Sequence, residues 1–160
     1  MIRVLVASAN PELRARLAQL LQGDPGFRLA GEAEGGAAAV EMTRRLQPDV
    51  VAIDLDLRGE GCARTVRAIM TDTPTPVVVV SLLGEPGGGG GAMEALKAGA
   101  LAVAPVPRAD GPLLGILRAM SDVKVVRRWA NRPSTQAARP VPPAPRGVPV
   151  RAVAIASSTG

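Results

Sequence analysis

Reactive side chains are few in this chain of 160 residues, which contains no histidine. Histidine is the commonest general base and the commonest metal ligand, so serine–histidine and zinc–histidine chemistry are excluded within this sequence. A single cysteine, Cys62, rules out a disulfide within the chain and suits a reducing compartment. The side chains left for chemistry are isolated hydroxyls and carboxylates, chiefly those of Ser8, Asp54, Asp56 and Ser81.

Two of these candidates end short apolar runs. Asp54 closes the run 49–54, and Ser81 closes the run 76–81. Asp56 adds a second carboxylate on the same side as Asp54 only if the strand continues, because side chains alternate along a strand. The chain leaves the strand at that point, so we expect Asp56 to be a surface residue.

The glycine-rich stretch Gly87–Gly91 invites comparison with phosphate-binding loops. It lacks the Gly-Lys-Ser/Thr ending of such a loop and follows the fourth apolar run, not the first. We therefore expect a flexible loop. Cys62 has neither a run of charges nor a metal-ligand partner beside it in the sequence, and we expect an inert residue at the start of a helix.

The positive charge is concentrated towards the C-terminus. The net charge is +5, and residues 121–160 hold seven Lys or Arg residues against one acidic residue, Asp122. Basic side chains beside an aromatic ring can bind nucleic acid, and Trp129 has such neighbours: Lys124, Arg127, Arg128 and Arg132. Because they adjoin a proline-rich stretch, we interpret them as part of a linker, with nucleic-acid binding as an alternative.

Strand-like and helix-like patterns alternate through the first 121 residues. The apolar runs typical of strands are 2–7, 28–33, 49–54, 76–81 and 101–104. The helical patterns are 11–22, 36–47, 62–71, 92–98 and 111–121. This alternation predicts an α/β fold with a five-stranded parallel, doubly wound sheet. Its ligand site would lie at the carboxyl ends of the strands, which hold residues 7–9, Asp54, Ser81 and 105–107.

The sequence changes character after residue 121. Six of the 17 residues from Pro133 to Pro149 are proline, which indicates an extended linker without a fold of its own. The apolar pattern resumes at Val150 and runs into Ser157–Gly160. We therefore expect a first domain, a basic proline-rich linker and the start of a truncated second α/β domain, over residues 1–121, 122–147 and 148–160.

Several phrases of the sequence carry a specific resemblance: IRVLV, LQGDPGFRLAGEAEGG, QPDVVAIDLDL, TPVVVVSLL, ALKAGALAVAPVP and MSDVKVVRRW. With the linker and AVAIASSTG that follow, the chain resembles the N-terminal part of chemotaxis protein-glutamate methylesterases. The resemblance implies a flavodoxin-like receiver domain of two-component signalling, followed by the first strand of the esterase domain. It also implies that Ser158 is the esterase nucleophile, with histidine and aspartate partners from outside these 160 residues.

In the receiver site that this resemblance implies, Asp54 is the equivalent of the phosphoacceptor and Ser81 the equivalent of the switch hydroxyl. Ser8 and Ala9 stand where an acidic pair is expected, and Val106 stands where a lysine precedes a proline. Magnesium prefers carboxylate oxygens, and an ammonium group would hold phosphoryl oxygens. We therefore expect a degenerate site with weak or absent Mg²⁺ binding, no cofactor, and little or no phosphorylation of Asp54.

The resemblance implies a regulatory module, and the lack of a signal peptide or a long apolar segment predicts a cytoplasmic protein without a membrane span. Its parent would demethylate chemoreceptor glutamates and is a candidate to deamidate receptor glutamines. Implied partners are chemoreceptors, the missing esterase domain and a chemotaxis histidine kinase. The fragment has no histidine to activate Ser158, so we expect no catalysis from it. The alternatives are a phosphorylatable receiver with an unusual metal site, a non-catalytic adaptor, and a nucleic-acid binder acting through the tail.

Overall fold

The computed structural model describes residues 1–57, 61–82, 89–106 and 112–126, in which strands and helices alternate five times. The strands are β1 (Ile2–Ala7), β2 (Phe27–Ala33), β3 (Val50–Asp54), β4 (Val77–Leu82) and β5 (Ala102–Val106). The helices are α1 (Pro11–Gln22), α2 (Gly36–Leu46), α3 (Cys62–Asp72), α4 (Gly89–Ala98) and α5 (Leu113–Ser121). All of these residues belong to one unit, Met1–Ala130, and the remaining unit, Asn131–Gly160, lies outside the described residues.

The strands form one sheet in the order β2-β1-β3-β4-β5. Every neighbouring pair runs parallel. The apolar runs suit this arrangement, because a parallel sheet is covered by helices on both faces and its strands are buried on both sides. The fold class predicted from the alternating patterns is therefore confirmed.

Side-chain alternation along the strands builds two cores, one on each face of the sheet. On β1, Val4 and Val6 face the core that α1 and α5 cover, while Leu5 and Ala7 face the core that α2, α3 and α4 cover. All four side chains are fully buried. The loops that leave the carboxyl ends of the strands are thereby gathered along one rim of the sheet.

Helix α1 positions the loop that follows β1. Asn10 caps this helix, since its Oδ1 accepts hydrogen bonds from the N–H groups of Glu12 at 3.0 Å and Leu13 at 3.4 Å. Pro11 takes the first helical position, as predicted, where its missing N–H costs nothing. Leu13 and Leu17 are buried one turn apart and anchor the helix to the sheet.

Helix α4 begins earlier than the sequence predicted. Its first residue is Gly89 and not residue 92, so the loop expected over Gly87–Gly91 is wrong for its last three residues. Glycine has a low helix propensity, but Ala95 of this helix is fully buried, and that packing outweighs the propensity of the first turn. Gly87 and Gly88 lie outside the described residues.

Strand β5 is longer than predicted, because it covers Ala102–Val106 where the sequence indicated 101–104. The added residues include Pro105, which has no N–H to donate to a ladder hydrogen bond. In the structure Pro105 is paired with Ser81. The strand lies at the edge of the sheet, where a proline without an N–H is tolerated.

The predictions about the tail and about the membrane concern different parts of the chain. The linker beyond Val126, the start of the second domain over 148–160 with Ser158, and the basic residues around Trp129 lie outside the described residues. Helix α5 ends at Ser121, but the assignment of a linker over 122–147 and of a second domain from 148 stays a prediction. Within the described ranges, no helix has both the length and the apolar character needed to cross a bilayer.

Candidate functional site

The sheet brings four of the predicted site residues to one rim. Ser8 follows β1, Asp54 ends β3, Ser81 lies near the end of β4, and Val106 ends β5. We call these four residues the strand-end row. Because β3 lies between β1 and β4, Asp54 has the ends of both strands as neighbours.

Ser8 and Asp54 are in direct contact. The Ser8 hydroxyl donates a hydrogen bond to Asp54 Oδ2 at 2.5 Å, and the two residues are 0% and 5% exposed. A hydroxyl that donates to an ionised carboxylate forms a short and strong hydrogen bond, and burial removes the water that would compete for it. Ser8 therefore places a hydrogen-bond donor where the resemblance implied a carboxylate.

The second oxygen of Asp54 is bonded to the loop that follows β3. Asp54 Oδ1 accepts a hydrogen bond from the Asp56 N–H at 3.0 Å. The Leu57 N–H donates to the Asp54 carbonyl oxygen at 3.2 Å and closes the turn. Protein donors thus engage both carboxylate oxygens. The Asp56 side chain itself is exposed, in agreement with the surface position expected from the sequence.

An arginine that sequence reasoning missed holds the loop after β1. Arg14 Nη1 donates to the Ser8 carbonyl oxygen at 2.6 Å. Its other nitrogens lie 3.2 Å from Glu34 Oε1 and 3.6 Å from Glu32 Oε2, and its side chain is only 13% exposed. The spacing carried a signal, because residue 14 lies one turn after the Asn10 cap and helical side chains point back towards the N-terminus.

Ser81 does not join the contact between Ser8 and Asp54. Its hydroxyl is half-buried and donates to the adjacent Leu82 carbonyl oxygen at 3.4 Å. The β-ladders pair Asp54 with Val80, one residue before Ser81. Ser81 therefore lies beside Asp54 along the row without a hydrogen bond to it within the described chain, and its role as a switch residue stays a prediction.

Val106 belongs to the apolar core and not to a polar site. It is 1% exposed and packs in the cluster that contains Val80, Ala104, Leu113 and Leu117. The position where the resemblance implied an ammonium group is thus filled by a buried branched side chain. The neighbouring Pro107 lies outside the described residues.

Cys62 lies closer to negative charge than its neighbours in the sequence suggested. It begins α3, as predicted, and is buried. Burial, with the carboxylates of Asp54 and Asp56, raises the pKa of the Cys62 thiol to about 12. The residues next to Cys62 in the sequence did not indicate these charges, because the loop after β3 brings both carboxylates to the start of α3. A thiol that keeps its proton is a weak nucleophile.

The donor set around Asp54 does not fit the magnesium ion that the resemblance implies. Magnesium takes oxygen ligands, chiefly carboxylates and waters, whereas two hydrogen-bond donors, the Ser8 hydroxyl and the Asp56 N–H, contact the Asp54 carboxylate here. Ala9, in the second position of the missing acidic pair, has no ligand atom in its side chain. Over the ranges that the structure describes, no group of three His, Cys, Asp or Glu side chains is placed to hold a metal.

Comparison with known protein families and curated proteins gives a consistent result. The family model described as the response regulator receiver domain matches residues 4–104. The protein-glutamate methylesterase/protein-glutamine glutaminase of group 3 operon from Rhizobium meliloti (strain 1021) is 41% identical over 170 residues, covering 100% of this chain and 48% of the relative. A relative from Myxococcus xanthus (strain DK1622), protein-glutamate methylesterase/protein-glutamine glutaminase 4, is 42% identical and covers 99% of this chain and 48% of its own length. The chain spans about half the length of the curated relatives it matches.

A solved structure supports the same relationship. The response regulator domain of Thermotoga maritima CheB aligns with a TM-score of 0.67 and 29% sequence identity, covering 78% of this chain and 98% of that domain. The resemblance drawn from short sequence phrases is therefore confirmed by whole-chain similarity and by fold.

Proposed function

The chain belongs to the response regulator receiver domain family, and on that premise we propose that it regulates a chemotaxis protein-glutamate methylesterase without phosphorylation of Asp54. The first half of the proposal is supported by relatives that carry the methylesterase name and match the chain over its full length. The second half is supported by one observation above all. The Ser8 hydroxyl donates a hydrogen bond to Asp54 Oδ2 at 2.5 Å. Ser8 stands at a position where the family resemblance implies a metal-binding acid.

The physical reason is the distribution of charge during phosphoryl transfer. The transferred group carries negative charge on its equatorial oxygens, and a metal ion or a cationic side chain must neutralise it. Ser8 and Ala9 offer no carboxylate for a metal, and Val106 offers no ammonium. The cation that does contact this loop, Arg14, is already paired with Glu32 and Glu34. We therefore expect weak magnesium binding and no cofactor requirement.

The role of the complete protein follows from its relatives. We propose that residues 122–147 link the receiver-like domain to an esterase domain that begins near residue 148, in which Ser158 is the nucleophile. Such a parent would hydrolyse methyl esters of protein glutamate side chains and deamidate protein glutamines, as the names of the relatives indicate. The proposed protein substrates are chemoreceptors. Chemoreceptors, the esterase domain and a chemotaxis histidine kinase are the partners proposed. Control would then act through docking of the domain and not through a covalent change at Asp54.

Phosphodonor labelling tests the central part of this proposal. The full chain is incubated with magnesium and acetyl phosphate, and its intact mass is compared with that of the Asp54→Asn variant. We expect no phosphoryl adduct on either protein. A magnesium-dependent adduct on the wild type that is absent from the variant would contradict the proposal and establish the phosphorylatable receiver instead.

Reading the gene beyond codon 160 tests the parent activity. A histidine and an aspartate within a further α/β pattern, together with methylesterase activity of the longer protein, would support the esterase. A stop codon at that point would contradict the esterase parent and favour a non-catalytic adaptor. Activity that is unchanged by acetyl phosphate is the result expected of the longer protein.

A further inference from the structure

A continuous chain of polar contacts crosses the ends of three neighbouring strands. It starts at Glu34, which follows β2, and reaches Arg14 at 3.2 Å. Arg14 holds the Ser8 carbonyl oxygen at 2.6 Å, and the Ser8 hydroxyl holds Asp54 at 2.5 Å. Asp54 Oδ1 then accepts the N–H of Asp56 at 3.0 Å. The side-chain hydrogen bond between Ser8 and Asp54 thus joins the loop after β1 to the end of β3.

We propose that Arg14, Ser8 and Asp54 form a polar latch, a device that fixes the loop after β1 against the loop after β3. In this inference Ser8 is not merely a lost acid but a donor that gives Asp54 a structural role. The inference rests on the proposed function only in taking Asp54 as unphosphorylated. It adds that the two loops have one fixed arrangement, set by a hydrogen bond within the chain.

Burial makes the central bond of the latch strong. Ser8 and Asp54 are 0% and 5% exposed, so bulk water competes little for their hydrogen bond. Removing the hydroxyl would leave a buried carboxylate oxygen short of a donor, which costs more than the mean worth of a hydrogen bond. Every buried polar side-chain atom in the described residues has a hydrogen-bond partner, and the two oxygens of Asp54 are among these satisfied atoms.

Arg14 acts as the outer brace of the latch. Its Nη1 is bonded to the backbone of Ser8 and not to its side chain, so it sets the position of the loop. The carboxylates of Glu32 and Glu34 hold the guanidinium from the opposite side. Because arginine presents donors in a fixed planar fork, a lysine at this position cannot make the same set of contacts. Arg14 is therefore a positioning residue for Ser8.

Amide hydrogen exchange at Asp56 is the test, because this amide is bonded to Asp54 and not to Ser8. In the full chain, Ser8→Ala should speed exchange at Asp56 about tenfold relative to exchange at Ala52, a buried residue of β3 that reports global opening. The control is Ser121→Ala, which removes a hydroxyl that donates to Arg118 on α5. That variant should leave the ratio unchanged. An unchanged ratio in Ser8→Ala would overturn the latch.

Two further measurements test the inference, and the first of them does not depend on the folding of Ser8→Ala. Arg14→Lys should speed Asp56 exchange in the same direction by a smaller factor, and no effect would count against the brace. In a double-mutant cycle of Ser8→Ala with Asp54→Asn, the combined change in the unfolding equilibrium constant should fall about tenfold short of the product of the single changes. Simple multiplication of the two would contradict the latch.

The failure of the latch and the failure of the proposed function give different results. Both the exchange ratio and the double-mutant cycle are measured without magnesium or a phosphodonor. If Asp54 formed a phosphoryl adduct and the effects of Ser8→Ala and Asp54→Asn were not independent, the proposed function would be contradicted and the latch supported. An uncoupled cycle without any adduct would remove the latch and leave the proposed function.

Discussion

The two ends of the strand-end row differ in what replaces the charged residue that the family resemblance implies. At the β1 and β3 end, Asp54 is buried and keeps its carboxylate, and Ser8 satisfies it with a 2.5 Å hydrogen bond. At the β4 and β5 end, Val106 has no polar atom in its side chain and is absorbed into the core beneath α5. The first end remains polar, with hydrogen bonds between its side chains, and the second end is apolar.

A polar and an apolar replacement need different surroundings in the folded protein. A buried carboxylate is costly unless donors surround it, so the polar end needs specific partners at specific distances. A buried aliphatic side chain needs only neighbours of suitable volume. Changes at the polar end should therefore act through hydrogen-bond geometry, whereas changes at the apolar end should act through volume and through polarity introduced into the core.

The largest expected effect concerns Cys62, which borders the polar end. Its pKa is raised from 9.0 to about 12 by burial and by the carboxylates of Asp54 and Asp56, so near neutral pH the folded protein holds about a thousandfold less thiolate than the unfolded chain. Alkylation by iodoacetamide should be slower by about that factor in the native protein. The stability that the neutral thiol contributes is complete below pH 9.0 and is lost as the pH rises towards 12. Fast native alkylation would show that this end is open.

The apolar end should respond most to loss of volume. Leu117 of α5 is 1% exposed and packs in the same cluster as Val106, so Leu117→Ala should lower the free energy of unfolding by about 2–5 kcal/mol. Leu96 of α4, which is 39% exposed, provides the matched control, and Leu96→Ala should cost well under half as much. Urea denaturation of both variants measures the difference, and equal losses would contradict the assignment of the core.

A polar atom introduced at the apolar end should lower the free energy of unfolding by less than Leu117→Ala does, but by a measurable amount. Val106→Thr keeps the side-chain shape and replaces one methyl group by a hydroxyl within the apolar cluster of Val80, Ala104, Leu113 and Leu117, so we expect a loss of about 1–3 kcal/mol. Val123→Thr changes a residue that is 39% exposed and should leave stability nearly unchanged. If Val106→Thr were neutral in thermal unfolding, the two ends of the row would not differ as described.

The smallest expected effect is a change in stability from replacing helical glycines, which lie away from the strand-end row, with alanine. Gly90 in α4 and Gly115 in α5 have open space around an added Cβ, so alanine at either position should stabilise the fold by about 0.5–1 kcal/mol. Gly99 has a φ of +122° and a Cβ there would lie 2.9 Å from Met70 Cγ. Gly99→Ala should therefore destabilise the fold, and a gain would contradict the backbone conformation.

The sequence predicts the fold well because the signals are local and repeated. Apolar strand runs and the Asn10-Pro11 cap depend on neighbouring residues, and the structure reproduces them. The errors lie where tertiary context decides. Three glycines enter α4 because Ala95 is anchored in the core, and Pro105 stays in β5 because that strand is an edge.

The site is harder to predict, because its contacts join residues far apart in the chain. The sequence places Ser8 and Asp54 at strand ends, but only the order of the strands brings them together across 46 residues. The spacing places Arg14 one turn after Asn10, but its contact with the Ser8 carbonyl oxygen also depends on the rotamer of a long side chain, which the spacing does not fix. The departure at Val106 is visible in the sequence, yet its consequence, burial under α5, needs the structure.

The proposal that Asp54 is not phosphorylated can be tested by an NMR titration. The isotope-labelled full chain is titrated with magnesium and beryllofluoride, a mimic of the phosphoryl group. The reporter is the backbone amide of Asp56, which is bonded to Asp54 Oδ1 at 3.0 Å. We expect no saturable change in its chemical shift, because the Ser8 hydroxyl and the Asp56 N–H are bonded to the carboxylate and the described residues offer no group of three metal ligands. A saturable shift that requires both magnesium and beryllofluoride, and that is lost in Asp54→Asn, would contradict the proposal.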